Sequence, residues 1–134
     1  PKKNDLINLI TEKKQTNRIQ IKSFDLNIEK HYLNSHIFVL SSDWEGFGNV
    51  LVEAMHYGLD VISTNCNYGP SEILQNGKYG KLVKTGDIDE LSEAINQCIK
   101  NYSSNFINHN HQRSLDFLVS KISKKYISYF QTLV

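Results

Sequence analysis

The fold is decided by residues 36–65, which read "HIFVLSSDWEGFGNVLVEAMHYGLDVISTN". The apolar run at 36–42 predicts a buried strand, and the run at 60–65 predicts another. Between them, 49–57 has the apolar spacing of a helix, and Gly58 follows as its C-terminal cap. A strand, a helix and a second strand in this order are typical of parallel strands joined by a right-handed crossover.

The same alternation of helices and strands extends to both sides of this stretch. We expect helices at 2–15, 27–35, 69–77 and 86–101, strands at 18–24 and 80–84, and a last helix over 113–133. Asp87 and Glu90 suit a capping box at the start of the helix at 86–101. We therefore predict an α/β fold with a doubly wound parallel sheet of about four strands. Its domain would cover 1–100, followed by a linker at 101–112 and a C-terminal helix at 113–134.

Composition and charge point to one soluble globular domain. The 134 residues are 40% hydrophobic and 22% charged, and the net charge of +1 gives no basis for nucleic-acid binding. Cys66 and Cys98 are far apart and form no CxxC pair, which favours the reducing cytoplasm over a disulfide framework. No apolar run approaches the roughly 18 residues of a membrane span.

The start of the sequence indicates a sheet that is truncated at its N-terminal side. Pro1 suits the first turn of a helix, and a helical pattern follows it directly. The sequence has neither an initiator methionine nor the apolar segment of a signal peptide. We therefore expect that strands and a further domain precede this chain in a longer protein.

The loop at 41–48 is the candidate ligand-binding segment. In open parallel sheets, ligands bind at the carboxyl ends of the strands, and this loop leaves such an end and enters a helix. Gly46 and Gly48 allow the backbone to approach a ligand and leave its N–H groups free. The N-terminus of the following helix adds further N–H donors, which suit an anion such as phosphate.

Two carboxylates stand on either side of this loop. Glu45 precedes the glycines and Glu53 lies on the second turn of the helix, and carboxylates accept hydrogen bonds from hydroxyl groups. An anion site between two hydroxyl-binding groups fits a nucleotide sugar. The alternative is a tight loop flanked by solvated glutamates. The dinucleotide-binding motif does not fit, because Leu51 stands where its third glycine belongs, and the phosphate-loop lysine is also absent.

A family resemblance rests on this region and on two segments after it. The segments "FVLSSDWEGFGNVLVEAMHYGLDVISTN", "YGPSEIL" and "GKYGKLVKTGDIDELSEAI" resemble the C-terminal, donor-binding domain of retaining GT-B glycosyltransferases, the glycosyl transferases group 1 (family 4). The resemblance covers about 19–100. Its signature is a glutamate, seven residues and a second glutamate, with the glycine turn between them. It implies a Rossmann-like domain, here partial.

The resemblance implies a role for each matched residue. Glu45 would contact the donor sugar at the reaction centre as the catalytic residue, and Glu53 would bind the ribose hydroxyls. The donor-binding set is Gly46, Phe47, Gly48, Asn49, Leu51, Val52 and Glu53, and further cleft candidates are Phe24, Gly69, Pro70 and Glu72. Members of this fold generally work without a bound metal or cofactor, and the sequence has no Asp-x-Asp that would hold a cation against a diphosphate.

The function implied by the resemblance is transfer of a sugar from a nucleotide-diphosphate sugar to a hydroxyl of a glycan or lipid-linked acceptor. Such enzymes also use a basic pair and an N-terminal acceptor domain, which have no counterpart here, so we expect this chain alone to be inactive. The rival hypotheses are a non-catalytic binding subunit that needs a partner chain, a nucleotide-sugar epimerase on the same fold, and a purely structural module. We expect a cytoplasmic protein. Lys121, Lys124 and Lys125 suggest contact with the inner face of a membrane as a further alternative.

Three other features are weaker candidates. His109 and His111 would suit two metal ligands, but no third ligand is near them in the sequence. His56 lies three residues beyond Glu53 and is a candidate for lining the cleft. The glycosylation sequon at 101–103 is best explained by chance, because nothing in the sequence indicates secretion.

Overall fold

The computed structural model describes residues 2–101 and 105–133, with the side chains of 105–108 excepted. Three expectations therefore lie partly or wholly outside the described residues. They are the position of Pro1 in the first helical turn, the sequon at 101–103, and the end of the C-terminal helix at Val134.

The described chain alternates helices and strands around a parallel sheet. Its elements are α1 (Lys2–Glu12), α2 (Glu29–Leu33), β1 (Ile37–Leu40), α3 (Asn49–His56), β2 (Asp60–Thr64), α4 (Pro70–Ile73), β3 (Lys81–Val83), α5 (Ile88–Lys100), α6 (Asn105–Ser114), a 3-10 turn (Leu115–Phe117) and α7 (Val119–Gln131). The sheet has the order β1-β2-β3, and both pairs of strands are parallel. The predicted α/β fold with a parallel sheet is confirmed.

Helices cover both faces of this sheet. Successive side chains of a strand point to opposite faces. On β2, Val61 therefore joins one buried cluster, which includes Leu51 and Met55 of α3 and Ile73 of α4. Its neighbour Ile62 joins a second cluster, which includes Ala94 of α5. The sheet is thus doubly wound, as the alternation of elements predicted.

The strand predicted at 18–24 is wrong. Residues 19–27 contain no helix or strand, and the side chain of Phe24 is 89% exposed. The alternation of apolar and polar residues suggested a half-buried strand, but a strand needs a neighbour to pair with, and β1 pairs only with β2 in the described part of the chain. β1 was predicted to be buried but is only half-buried, because it lies at the edge of the sheet. The sheet has three described strands instead of about four.

The C-terminal region also differs from the prediction. The polar stretch at 101–112 was interpreted as an irregular linker, yet α6 begins at Asn105 and packs against α3. The single helix predicted at 113–133 is interrupted at Leu118, whose ψ of 139° is extended. The first error arose because α6 is held by buried polar groups, such as the Asn110 amide donating to the Leu59 carbonyl at 2.8 Å, and not by an apolar stripe. The break at Leu118 was missed because no glycine or proline marks it in the sequence.

None of the helices within 2–101 and 105–133 has the length and hydropathy needed to cross a bilayer.

Candidate functional site

The loop between β1 and α3 lies at the carboxyl edge of the sheet. Its first residues are held to β2 by the Thr64 hydroxyl, which donates a hydrogen bond to the Ser42 carbonyl at 2.5 Å. The loop ends at Gly48, whose φ of +88° is the left-handed conformation that glycine adopts most easily, and α3 begins at the next residue. Gly48 thus determines where α3 begins.

The N-terminus of α3 has free amide donors. No side chain caps this helix, whereas the Asp87 carboxylate caps α5 by accepting from the Glu90 N–H at 2.9 Å. The amides of 46–50 donate no backbone hydrogen bond to any residue that the structure describes. A helix N-terminus with unpaired N–H groups carries a partial positive charge. This end of α3 can therefore bind an anion.

Gly46 is a glycine that the fold does not require. It is exposed, its φ is not in the left-handed region, and a Cβ atom built on it would meet nothing within 4 Å. An alanine here would neither strain the backbone nor clash. The glycine instead leaves the loop backbone open to close approach from outside the chain.

A second loop touches the first through Gly69. A Cβ atom on Gly69 would lie 1.9 Å from the carbonyl oxygen of Phe47, so the two backbones are in direct contact. Gly69 and Pro70 are both buried, which makes them supports of the loop and leaves no side-chain surface for a ligand. Glu72, two residues later on α4, is exposed. The structure therefore joins the two glycine motifs that the sequence separates by more than twenty residues.

The exposed face of α3 carries Asn49, Glu53 and His56, which are spaced by one and two helical turns. A groove of about 1240 Å³ runs between this face and α7. Five of the sequence-predicted residues line it, namely Phe47, Asn49, Val52, Glu53 and Glu72, and so does the weaker candidate His56. The groove is the place where most of the predicted residues with accessible side chains come together.

The position of Glu53 in this groove is defined by a hydrogen bond to a buried residue. Its Oε2 atom accepts a hydrogen bond of 3.0 Å from the hydroxyl of Tyr32, a residue of α2 that is 4% exposed. Burial and this hydrogen bond both raise the pKa of the Tyr32 hydroxyl, which therefore stays protonated and continues to donate. No local sequence pattern indicates this contact, because it joins residues on two separate helices.

Not every predicted residue reaches the groove. Glu45 is half-buried in the loop, does not line the groove, and makes no hydrogen bond or ion pair with the described residues. Leu51 lies fully buried beneath Gly48, so its place is in the core, and the nucleotide contact expected of it finds no support there. Phe24 has lost the strand that was expected to position it, and it projects into solvent.

Arg113 is a residue of this region that the sequence analysis missed. Its guanidinium donates to the carbonyls of Ile73 at 2.9 Å and Glu72 at 2.8 Å, at the end of α4. The same group lies 4.5 Å from the ring of Phe117, which contacts the ring of Phe47 edge to face. Arg113 therefore connects the end of α6 to the end of α4, and Phe117 connects it to the loop before α3. The signal available in the sequence was its rarity, because the chain has only two arginines.

The histidines of α6 have separate partners. Nδ1 of His111 lies 2.6 Å from the carbonyl oxygen of His56, while the ring of His109 stacks on Tyr79. Within the described residues, no three His, Cys, Asp or Glu side chains are grouped as they would be around a metal ion. The two histidines are thus packing and hydrogen-bonding residues of α6.

Comparison with known proteins gives one family. The family model described as glycosyl transferases group 1 matches residues 1–113. An uncharacterized glycosyltransferase of Methanocaldococcus jannaschii is 34% identical over 108 residues, which are 71% of this chain and 27% of that protein. The capsular polysaccharide biosynthesis glycosyltransferase CapM of Staphylococcus aureus is 35% identical over 86 residues, which are 63% of this chain and 22% of that protein.

A solved structure shares the fold over almost the whole chain. HepE of Anabaena, in complex with UDP, is 28% identical with a TM-score of 0.84, and the match covers 96% of this chain and 36% of that one. The same protein has also been solved with UDP and glucose. This chain thus spans about a fifth to a third of the length of these three proteins.

Proposed function

The chain belongs to the glycosyl transferases group 1 family, and from this premise we propose that it is the donor-binding part of a retaining glycosyltransferase. The enzyme moves a sugar from a nucleoside-diphosphate sugar to a hydroxyl of a glycan or a lipid-linked acceptor. The observation that carries the proposal is the uncapped N-terminus of α3 beside Gly46, a glycine for which the fold has no use.

Each part of the donor has a matching group in this proposal. The amides of Gly46, Phe47, Gly48 and Asn49 bind the diphosphate and donor-sugar oxygens, because unpaired N–H groups at a helix N-terminus favour negative charge. Glu53 binds the ribose hydroxyls, and Val52 packs beside the nucleotide. Glu45 binds the hydroxyls of the transferred sugar. Its lack of any partner among the described residues leaves both carboxylate oxygens available.

The reaction needs stabilisation of the leaving group. The acceptor oxygen forms a bond to the anomeric carbon while the bond from that carbon to the phosphate oxygen breaks, and the bonding electrons go to the diphosphate. The acceptor attacks on the face from which the diphosphate leaves, so the anomeric configuration is retained. The acceptor proton passes to an oxygen of the leaving phosphate. Amide donors fixed in advance at the loop stabilise the developing charge, and such stabilisation is usually the largest catalytic contribution. No step of this proposal uses a metal ion.

The comparisons support the donor and acceptor classes. The UDP bound to HepE supports a nucleoside diphosphate as the leaving group, and the name of CapM supports a polysaccharide acceptor. Because this chain covers only 36% of the HepE chain, we assign the transfer to a longer enzyme. We expect this chain alone to bind the donor without transferring its sugar.

The proposal is tested by ligand-dependent melting with UDP, GDP, ADP and their glucose conjugates. A ligand at 100 times its Kd raises the free energy of unfolding by about 2.7 kcal/mol. We expect one nucleotide to give such a shift with the wild-type chain. Without ligand, Gly46→Ala should melt at the wild-type temperature. It should need about tenfold more nucleotide to reach the same shift in melting temperature, because the new methyl group occupies the approach to the loop amides.

The matching test of Glu53 uses Glu53→Gln instead of Glu53→Ala. Alanine would leave the buried Tyr32 hydroxyl without an acceptor and lower stability by itself, whereas the glutamine amide oxygen still accepts from that hydroxyl. We expect Glu53→Gln to bind the nucleotide about tenfold more weakly. If no nucleotide shifts the melting of the wild-type chain, the proposed function is wrong and a structural module remains. If a nucleotide shifts it but neither variant changes the response, the proposed function is also wrong, because the nucleotide then binds away from the loop and Glu53.

A further inference from the structure

Two stacked tyrosines adjoin the groove, and one of them, Tyr57, lines it. Tyr32 comes from α2 and Tyr57 follows the last residue of α3, and their ring centroids are 5.4 Å apart with planes inclined by 17°. The ring of Phe38 on β1 packs against Tyr32 from another side, at 6.0 Å. Tyr32 is therefore enclosed by rings, and its hydroxyl has a fixed position.

Each of these tyrosines has its hydroxyl near a carboxylate. The Tyr32 hydroxyl donates to Oε2 of Glu53 at 3.0 Å. The interaction of the Tyr57 hydroxyl with Glu29 is the largest reason why the pKa of Tyr57 is raised. Of the two stacked tyrosines, only Tyr32 is hydrogen-bonded to the groove carboxylate Glu53.

We propose that Tyr32 is a positioning residue for Glu53: its hydroxyl holds Oε2, so that Oε1 is presented to the vicinal hydroxyls of the donor's ribose. This inference rests on the proposed function, and it names the residue that gives the site its preference for a ribose over a 2′-deoxyribose. Tyr32 does not touch the donor and acts only through Glu53.

The hydrogen-bond capacity of a carboxylate permits this arrangement. An ionised glutamate has about four acceptor positions, so one bond from Tyr32 leaves the others for a ligand. A free glutamate side chain on a helix surface has many rotamers, and binding a ligand in one of them loses that freedom. The bond to an enclosed tyrosine selects one orientation before the ligand arrives, and preorganisation of this kind increases affinity.

The simpler alternative is that Tyr32 is only a core residue whose hydroxyl uses the nearest acceptor. The two explanations differ in what Tyr32→Phe does. If Tyr32 is only a core residue, the variant changes stability and leaves nucleotide recognition alone. If Tyr32 positions Glu53, the variant weakens recognition of the ribose hydroxyls in particular.

The experiment measures Kd by calorimetry for the nucleoside diphosphate that responds among UDP, GDP and ADP, and for its 2′-deoxy counterpart. The wild-type chain should prefer the ribonucleotide by about tenfold. In Tyr32→Phe, we expect about five- to tenfold weaker binding of the ribonucleotide and little change for the deoxynucleotide, so that the preference is nearly lost. Tyr57→Phe is the comparison, because it removes a hydroxyl from the stacked partner, which lines the groove, but leaves the Tyr32–Glu53 bond intact; its preference for the ribonucleotide should stay at the wild-type level.

The results separate this inference from the proposed function. If the wild-type chain binds none of the nucleotides, or if neither Gly46→Ala nor Glu53→Gln weakens binding, the proposed function fails and the role of Tyr32 fails with it. If only Glu53→Gln binds as well as wild type, the ribose role of Glu53 is wrong, and the role of Tyr32 fails with it. If binding and the effect of Glu53→Gln are as expected but Tyr32→Phe keeps the wild-type preference, only the positioning role is overturned. The same holds if Tyr57→Phe loses as much preference as Tyr32→Phe.

A crystal structure of the wild-type chain with the responding nucleotide gives a second test that needs no variant. The expected complex has Oε1 of Glu53 within hydrogen-bond distance of the ribose hydroxyls while Oε2 keeps the Tyr32 hydroxyl. A complex in which Glu53 leaves Tyr32 in order to reach the ribose would overturn the inference, even if Tyr32→Phe were too unstable to study.

Discussion

At the scale of single residues, Gly69 has the least tolerance for a side chain. An alanine Cβ there would lie 1.9 Å from the Phe47 oxygen and 2.8 Å from its Cα atom, and the φ of +85° is strained for any other residue. We expect Gly69→Ala to lower the free energy of unfolding by roughly 3 kcal/mol, because the two loops would have to separate. Urea unfolding would measure the loss. Gly46→Ala, with open space around its Cβ, is the control that should unfold like wild type, and equal stability of the two variants would contradict the close contact.

Asp25 is the residue whose charge should link stability to pH. Its carboxylate accepts from Lys30 at 2.7 Å, from the Asn27 N–H at 3.0 Å and from His31 at 3.1 Å, and these bonds lower its pKa from 3.8 to about 2. A carboxyl with a lowered pKa in the folded state contributes stability above its unfolded pKa of about 3.9, and the contribution is lost as pH falls through its folded pKa. Stability should therefore decline from about pH 4 to about pH 2.

The measurement for Asp25 is an NMR titration of its carboxyl carbon, together with acid unfolding of wild type and Asp25→Asn. The variant should be less stable near neutral pH and should show a shallower loss of stability between about pH 4 and pH 2. A midpoint near 4 in the folded protein would show that the bonds seen from Asp25 to α2 do not persist in solution.

At the scale of elements, the start of α5 tests how closely a sequence signature matches its structure. Asp87 caps the helix as predicted, but Glu90 does not return the bond to Asp87; its Oε2 instead accepts from the Lys84 N–H at 2.7 Å. The Asp87 N–H already donates to the Lys84 carbonyl at 3.1 Å, so it does not need the Glu90 carboxylate as its acceptor. We expect Asp87→Ala to destabilise the chain by about 1 kcal/mol in thermal unfolding. Asp89→Ala, which removes a first-turn carboxylate without a capping bond, should have a clearly smaller effect.

The sequence predicted the elements whose apolar residues form the core. The helix at 49–57 and the strand at 60–65 were predicted correctly, because their apolar residues follow the periods of a helix and a strand; they include Leu51, Met55 and Val61. The strand at 18–24 was wrong and α6 was missed, since the first lacks a pairing partner and the second depends on buried polar groups. In the candidate site, the loop and Glu53 were predictable from local pattern, whereas Tyr32 and Arg113 reach it through contacts between distant parts of the chain.

At the scale of the whole molecule, the C-terminal region has two parts that are attached differently. The segment α6 and its 3-10 turn belong to the folded body, because Asn110 donates to Leu59 and the Arg113 side chain, 10% exposed, joins the end of α4. In contrast, α7 buries none of its side chains. The apolar stripe that suggested one continuous helix is present on α7, but it forms one wall of the groove and lies largely in solvent. It follows that α7 contributes little to the stability of the body.

We therefore expect a chain that ends at Leu118 to melt within about 2 °C of the full chain, since a change well below 1 kcal/mol shifts the melting temperature of a domain of this size by no more than that. Arg113→Ala in the full chain should instead lose roughly 2 kcal/mol, because it leaves the Ile73 carbonyl without its donor, takes one of two donors from the Glu72 carbonyl and removes the cation from the Phe117 ring. Calorimetric melting of both proteins at one concentration makes the comparison. If the shortened chain were destabilised as much as Arg113→Ala, α7 would have to be packed as part of the body, and the groove that it borders would be closed in solution.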